Sequence, residues 1–243
     1  IACKVFTREV STIVAQSPHT IDVSFLRQGL HDTPDVLRSQ LQAEIDRIDA
    51  AEDMHTQVLH DGSDYAGIAL VYGLCSNAIA GVRSRRYPLV VPRAHDCIAM
   101  LMGSRERYRE YFDRHPGTYW YSPGWIEQTL MPGPERVERT RLEYVERYGE
   151  DNADYLMEME QEWLQRYDRC TYVAWRDLDR EEYRESARSA ADYLGWDYDR
   201  IHGEDGLLRR LLEGDWQADE VLVVPAGSTV GPSYDDGIIR TTE

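Results

Sequence analysis

Cysteine occurs four times in this chain, at Cys3, Cys75, Cys97 and Cys170. Two of the four follow apolar runs that read as strands, and a third lies within such a run. Cys3 lies near the exit of Ile1–Phe6. Cys75 follows Ile-Ala-Leu-Val-Tyr-Gly-Leu directly, and Cys97 follows Leu-Val-Val-Pro-Arg-Ala-His-Asp directly. In an open parallel sheet the loops leaving the strands share one edge, and ligands bind in the crevice outside it. Parallel strands would therefore bring Cys3, Cys75 and Cys97 together from distant positions. Three thiolates facing one point suit zinc or an iron–sulfur cluster, with the fourth position left for substrate or water. A four-cysteine site is closed, so the incompleteness is what chemistry needs. The competing use of a free cysteine is core packing, and no Cys-x-x-Cys knuckle is present to strengthen a metal assignment. Cys170 opens a later strand and is assigned to packing.

The turns that carry these thiols hold further chemistry. Tyr72-Gly73-Leu74-Cys75-Ser76-Asn77 places a glycine where backbone must turn or approach closely, followed by two helix-capping residue types. Tyr72 and Asn77 are taken as substrate-lining. Pro92-Arg93-Ala94-His95-Asp96-Cys97 gathers a cation, an imidazole, a carboxylate and a thiol. Asp96 is either the N-cap of the next helix or an acid/base group. His95 is either an acid/base group, a ligand or a satisfied polar residue. The planar fork of Arg93 suits a substrate carboxylate or phosphate, or a structural ion pair. Glu9, a turn into the first helix, could supply a carboxylate base at the same edge. Trp125 closes an aromatic segment that would cover a site or pack as a turn. Ser228 and Thr229 follow the last strand in a glycine-containing loop able to present N–H groups to an anion.

The elements that must position these groups are legible as alternation. Ile1–Phe6, Ile21–Leu26, Ile68–Tyr72, Leu89–Pro92, Gly117–Ser122, Cys170–Trp175 and Val221–Val224 read as strands. Helices are expected through Glu9 to Val14, from Thr33-Pro34 to Ile48, from Asn77, from Asp96, and through Tyr183 to Leu194. Gly103-Ser104-Arg105 reads as a kink or short loop. Short loops between alternating strands and helices predict an α/β fold: a three-layer, doubly wound, mostly parallel, Rossmann-like sheet in one domain over 1–243. Residues 134–168 depart from that rhythm. They read as a charged helical hairpin, divided at Gly149 and Asp151-Asn152, serving as a cover, a lid or a dimer contact.

Acidic residues outnumber basic ones by 44 to 27, a formal charge of −17. So acidic a protein repels nucleic acid and anionic membrane surfaces unless a basic patch intervenes, and the basic residues are scattered among acids. Lys4 is the only lysine. No apolar run reaches the roughly 18 residues of a membrane span. Few, dispersed cysteines indicate a reducing, cytoplasmic setting. The chain starts at Ile1 without methionine, so a few residues are expected to precede it, and no segment has the look of a signal peptide.

Tyr72–Asn77, Pro92–Ile98, Gly103-Ser104 and Gly117–Trp125 together resemble the bacterial and archaeal family known as domain of unknown function 1638, over essentially the whole chain. The resemblance implies that Cys75, Arg93, His95, Asp96 and Cys97 matter together. It also implies an association with corrinoid-dependent methyl transfer, near which members are encoded. The residues themselves lead to a small-molecule enzyme with a three-cysteine metal or iron–sulfur site, performing metal-assisted lyase, hydrolytic or transfer chemistry on an anionic ligand. Two alternatives stand beside it: a non-catalytic accessory protein for corrinoid methyl transfer, and a metal-free thiol redox protein. A homo-oligomer is left open.

Overall fold

The computed structural model describes residues 1–52 and 64–243, with Glu160 described by its backbone alone. The fold is mixed α/β, and the chain packs as two compact units, residues 1–108 with 204–243 and residues 109–203. The first unit opens with β1 (Ala2–Cys3), a 3-10 turn (Lys4–Phe6), α1 (Thr7–Gln16), β2 (Phe25–Leu26) and α2 (Pro34–Asp49). It continues through β3 (Ile68–Ala69), β4 (Leu89–Pro92), α3 (Cys97–Met102) and α4 (Arg105–Arg114), which carries the chain into the second unit. There follow β5 (Thr118–Tyr121), α5 (Pro123–Gln128), α6 (Pro134–Tyr148), α7 (Glu150–Glu162), β6 (Arg169–Ala174), α8 (Glu181–Leu194) and β7 (Asp197–His202). The chain returns to the first unit as α9 (Gly206–Glu213), β8 (Val221–Val224), β9 (Thr229–Pro232) and β10 (Ile239–Thr242).

In the first unit β1 pairs parallel with β2, β3 pairs parallel with β4, and a parallel bridge between Ala2 and Val71 joins the two pairs. Hydrogen bonds from the Ile1 amine to Ala69 O (2.8 Å) and from Val71 N to Ile1 O (2.9 Å) complete the seam. Strands β2, β1, β3 and β4 therefore lie side by side in one direction. Every residue of Leu89–Pro92 is buried, as expected of a strand covered on both faces. Helix α2 starts with proline at its first position and buries Leu37, Leu41 and Ile45 at four-residue spacing, one stripe of a helix. The Thr33 hydroxyl does not cap it. It donates backwards to Leu30 O at 3.3 Å.

Strand β8 runs antiparallel to β4, with Leu89 opposite Val224 and Pro92 opposite Val221. This corrects one expectation of the sequence. Because Val224 exits beside the entry of β4, the loop bearing Ser228 and Thr229 starts at the opposite edge of the sheet from the cysteine turns. There Gly227 N donates to Ser84 O (2.7 Å) and Thr229 bridges Arg83. The chain then ends in the antiparallel hairpin of β9 and β10.

The second unit is built on a parallel sheet in the order β5-β6-β7. Tyr121, Cys170, Tyr172, Ala187 and Ala191 are buried in its core, with Tyr119 and Trp125 packed against it. Gly149, at φ +81°, separates α6 from α7, while Asp151 and Asn152 lie inside α7. Helix α6 buries none of its side chains, and Leu142, Tyr148, Tyr155 and Met159 stand exposed. Among the described residues no helix is long and apolar enough to cross a membrane.

Candidate functional site

Cys3 is the last residue of β1, and the strands around it change direction of travel. From β1 the chain moves outward to β2, then crosses back to place β3 on the other side of β1. Such a reversal opens a crevice past the strand ends. Cys3 and Cys75 leave from the two strands that flank it, and Cys97 leaves from the next strand, β4. The loops bearing Cys75 and Cys97 are sewn together by Leu74 N to Ala94 O (2.8 Å) and Cys75 N to His95 O (2.9 Å). Gly73 makes this approach possible: a Cβ there would stand 2.7 Å from the Asp96 backbone.

The helix expected from Asn77 is absent. Cys75, Ser76 and Asn77 instead form a left-handed turn, at φ +48°, +57° and +64°. Three consecutive non-glycine residues in this region are rare, since each costs roughly 1–2 kcal/mol of steric strain. Asn tolerates it best; the thiol-bearing residue does not share that tolerance. Strain of this kind gathers at functional sites.

On the facing loop, Asp96 caps α3 as one of its two expected roles: its Oδ1 accepts from Ile98 N at 2.9 Å. Its Oδ2 accepts from the Tyr108 hydroxyl at 3.0 Å. Cys97 is thereby fixed at the first position of the helix. Tyr108 is the residue that sequence reading missed. Its signal was position alone, on the helix after the Gly103 break.

Electrostatics tie the groups together. Burial pushes the Cys75 thiol up to about 12, and the charges of Asp96 and Cys3 push the same way. Cys97 is raised well above the ordinary thiol value by burial, then by Asp96, Cys75 and Cys3. Burial also raises Cys3, against hydrogen bonds from the Val5 and Lys4 backbone. Burial raises Asp96, against its bonds to Tyr108, Ile98 and Ala99 and the charge of His95. Cys75 and Cys97 thus both sense Cys3 and a common carboxyl. A cation placed among them would reverse every one of these shifts.

The remaining expected site residues sort by place. Tyr72 is buried in the core cluster against which Cys3 and Cys75 pack. His95 is exposed, and its carbonyl rather than its ring makes the tie to Cys75. Asn77 is exposed, and its carbonyl accepts from Arg38 Nη2 at 2.9 Å. Arg93 turns to the C-terminal loop, donating to Gly237 O (3.0 Å) and Ile239 O (2.6 Å). Glu9 is fully buried in the first turn of α1. Trp125 belongs to the second unit, in the first turn of α5, whose N-cap is Ser122. Ser228 and Thr229 begin at the far edge, where Thr229 Oγ1 bonds Thr242 Oγ1 at 2.5 Å. Among the described residues no three His, Cys, Asp or Glu side chains stand close enough together to hold a metal ion.

No curated protein and no solved structure matches the chain. A family signature does match, over residues 25–212. That span takes in Tyr72–Asn77, Arg93–Cys97, Tyr108 and Trp125, and leaves Cys3 and Glu9 before it and Ser228 and Thr229 after it. The chain belongs to the family described as protein of unknown function (DUF1638).

Proposed function

We propose that the cysteine edge is a three-thiolate metal centre, in which Cys3, Cys75 and Cys97 hold zinc or an iron–sulfur cluster with one position open. The sheet around it is read as the middle layer of a three-layer, doubly wound, Rossmann-like arrangement. The reading rests on one observation: three thiols leave three neighbouring parallel strand ends at one edge of the sheet, and the loops of two of them are hydrogen-bonded together. Loading requires the three thiols to move to a common point. A metal held there would act as a Lewis acid or generate a nucleophile from water, in lyase, hydrolytic or transfer chemistry. Asp96, held by Tyr108 and the α3 backbone, is the acid/base group closest in electrostatic terms to Cys97 and Cys75. Thiol redox chemistry without metal fits less well, because reactive thiols have depressed pKa values and these are raised.

The test is anaerobic reconstitution of the whole chain with zinc, or with iron and sulfide, followed by metal analysis and a visible spectrum. About one zinc or one cluster per chain is expected. Cys97→Ser should lose most of it, and Cys170→Ser none. Less than about 0.2 metal per chain after reconstitution would overturn the reading.

A further inference from the structure

Tyr72 ends the apolar run of β3, and only 3% of its surface is exposed. Its hydroxyl finds no hydrogen-bond partner among the described residues. Buried hydroxyls nearly always have one, because the water lost on folding must be replaced. A phenylalanine would fill the same core position without that penalty. Cys3 and Cys75 pack against the buried cluster that holds Tyr72. Tyr72 follows Val71, which bridges Ala2 in parallel, so it stands level with Cys3 where β1 and β3 part.

The charges around that crevice narrow what could enter it. Arg93, the guanidinium on the cysteine-bearing loop, is engaged by the carbonyls of Gly237 and Ile239. Lys4 is exposed on the 3-10 turn after Cys3. Asp96 instead brings a carboxyl to this edge, next to Cys97 in the chain and in backbone contact with the Cys75 loop at Gly73. A carboxylate or phosphate would lack the cationic fork that normally receives it. A carbonyl oxygen needs only a donor, and a phenol supplies one.

Taking the cysteine edge to be a ligand site, as proposed above, we infer that the Tyr72 hydroxyl is the donor that recognises its small-molecule ligand, and that this ligand offers a neutral carbonyl-type oxygen rather than a carboxylate or phosphate. Tyr72 is then a specificity-determining residue. A site built around one buried donor rejects molecules that cannot accept from it, because the donor is left unpaired again.

The probes are 2,2,2-trifluoroacetamide and trifluoroacetate, nearly equal in size and opposite in charge character, titrated into the full chain and followed by fluorine NMR. Both are run before and after metal reconstitution, and on Tyr72→Phe with its thermal midpoint measured. The amide should bind more tightly than the acid. Tyr72→Phe should weaken amide binding about five- to tenfold, the loss of one neutral hydrogen bond, while its midpoint stays level or rises. Equal or tighter binding of the acid, unchanged amide binding by Tyr72→Phe, binding of neither probe, or a lowered midpoint for Tyr72→Phe would each overturn the inference. The two readings fail separately. Tyr72-dependent amide binding in a chain that takes up no metal removes the metal centre and leaves this inference standing. Metal uptake without amide selectivity does the reverse.

Discussion

Gly73 and Asp96 stand in backbone contact, so close that a Cβ on Gly73 would lie 2.7 Å from both the Asp96 Cα and N. This contact locks the Cys75 loop to the Cys97 loop, together with the Leu74–Ala94 and Cys75–His95 hydrogen bonds. Backbone cannot swing aside as a flexible side chain can. Gly73→Ala should therefore part the two loops and cost about 1–3 kcal/mol, the usual penalty of overpacking. Urea unfolding reads the loss directly. A variant as stable as the wild type would mean the loops are free to separate.

The left-handed turn offers the opposite experiment. Ser76 is exposed and sits at φ +57°. Glycine there would remove roughly 1–2 kcal/mol of strain and cost about 0.5–1 kcal/mol of added unfolded-chain entropy. Relief of strain wins, and Ser76→Gly should be more stable by about 0.5–1 kcal/mol. Asn77→Val should be destabilised by more than about 1 kcal/mol, since a β-branched residue suits this region worst. Denaturation midpoints in the reverse order would show that the turn is not left-handed in solution.

The sequence disclosed the strands best where the run is wholly apolar. Leu89–Pro92 and Val221–Val224 were readable to the residue because each run is apolar throughout and a charged residue, Arg93 or Glu220, bounds it at one end. Direction was not readable: nothing in Val-Leu-Val-Val says that β8 runs against β4, and Ser228 and Thr229 were misplaced for that reason. Strand β7, Asp-Tyr-Asp-Arg-Ile-His, went unrecognised because most of it is polar, and its extended state is imposed by pairing with β6. Helix α9 buries Leu207, Leu208 and Leu211 from a run too short to stand out. The cysteine edge was legible from strand exits alone. The turn at Cys75–Asn77 was not, because Ser and Asn favour a helix cap as readily as a left-handed bend.

Asp179 supplies a pH test in the second unit. Burial pushes its carboxyl up, but Arg200 and then Arg184, which donates at 2.8 Å, outweigh burial and hold it below the ordinary value. A carboxyl depressed in the folded state binds fewer protons there than when unfolded. Its contribution is thus full above about 3.8 and is lost as pH falls through the folded value. Asp179→Asn should be less stable than the wild type by about 2 kcal/mol at pH 7, the scale of charge-assisted bonds. Urea titrations at pH 7, 5, 4 and 3 should show that gap closing only at the acid end. A gap of constant size would assign the loss to shape rather than charge.

Cys75 and Cys170 share a thiol value raised to about 12, each by burial first, yet differ in access. Cys170 is wholly buried, with its sulfur donating to Ala187 O at 3.3 Å, whereas Cys75 is half-buried at the rim of the sheet. Alkylation needs both a thiolate and a path to it. Far below its pKa, the thiolate fraction rises tenfold with each pH unit. Iodoacetamide labelling of metal-free Cys75, measured by peptide mass spectrometry, should climb about tenfold per unit from pH 8 to 10 without levelling. A thiol at its ordinary value of 9.0 would flatten within that range. Cys170 should stay unlabelled until the chain is unfolded. Bound metal should remove the pH dependence of Cys75 labelling across this range, because a coordinated thiolate is already deprotonated.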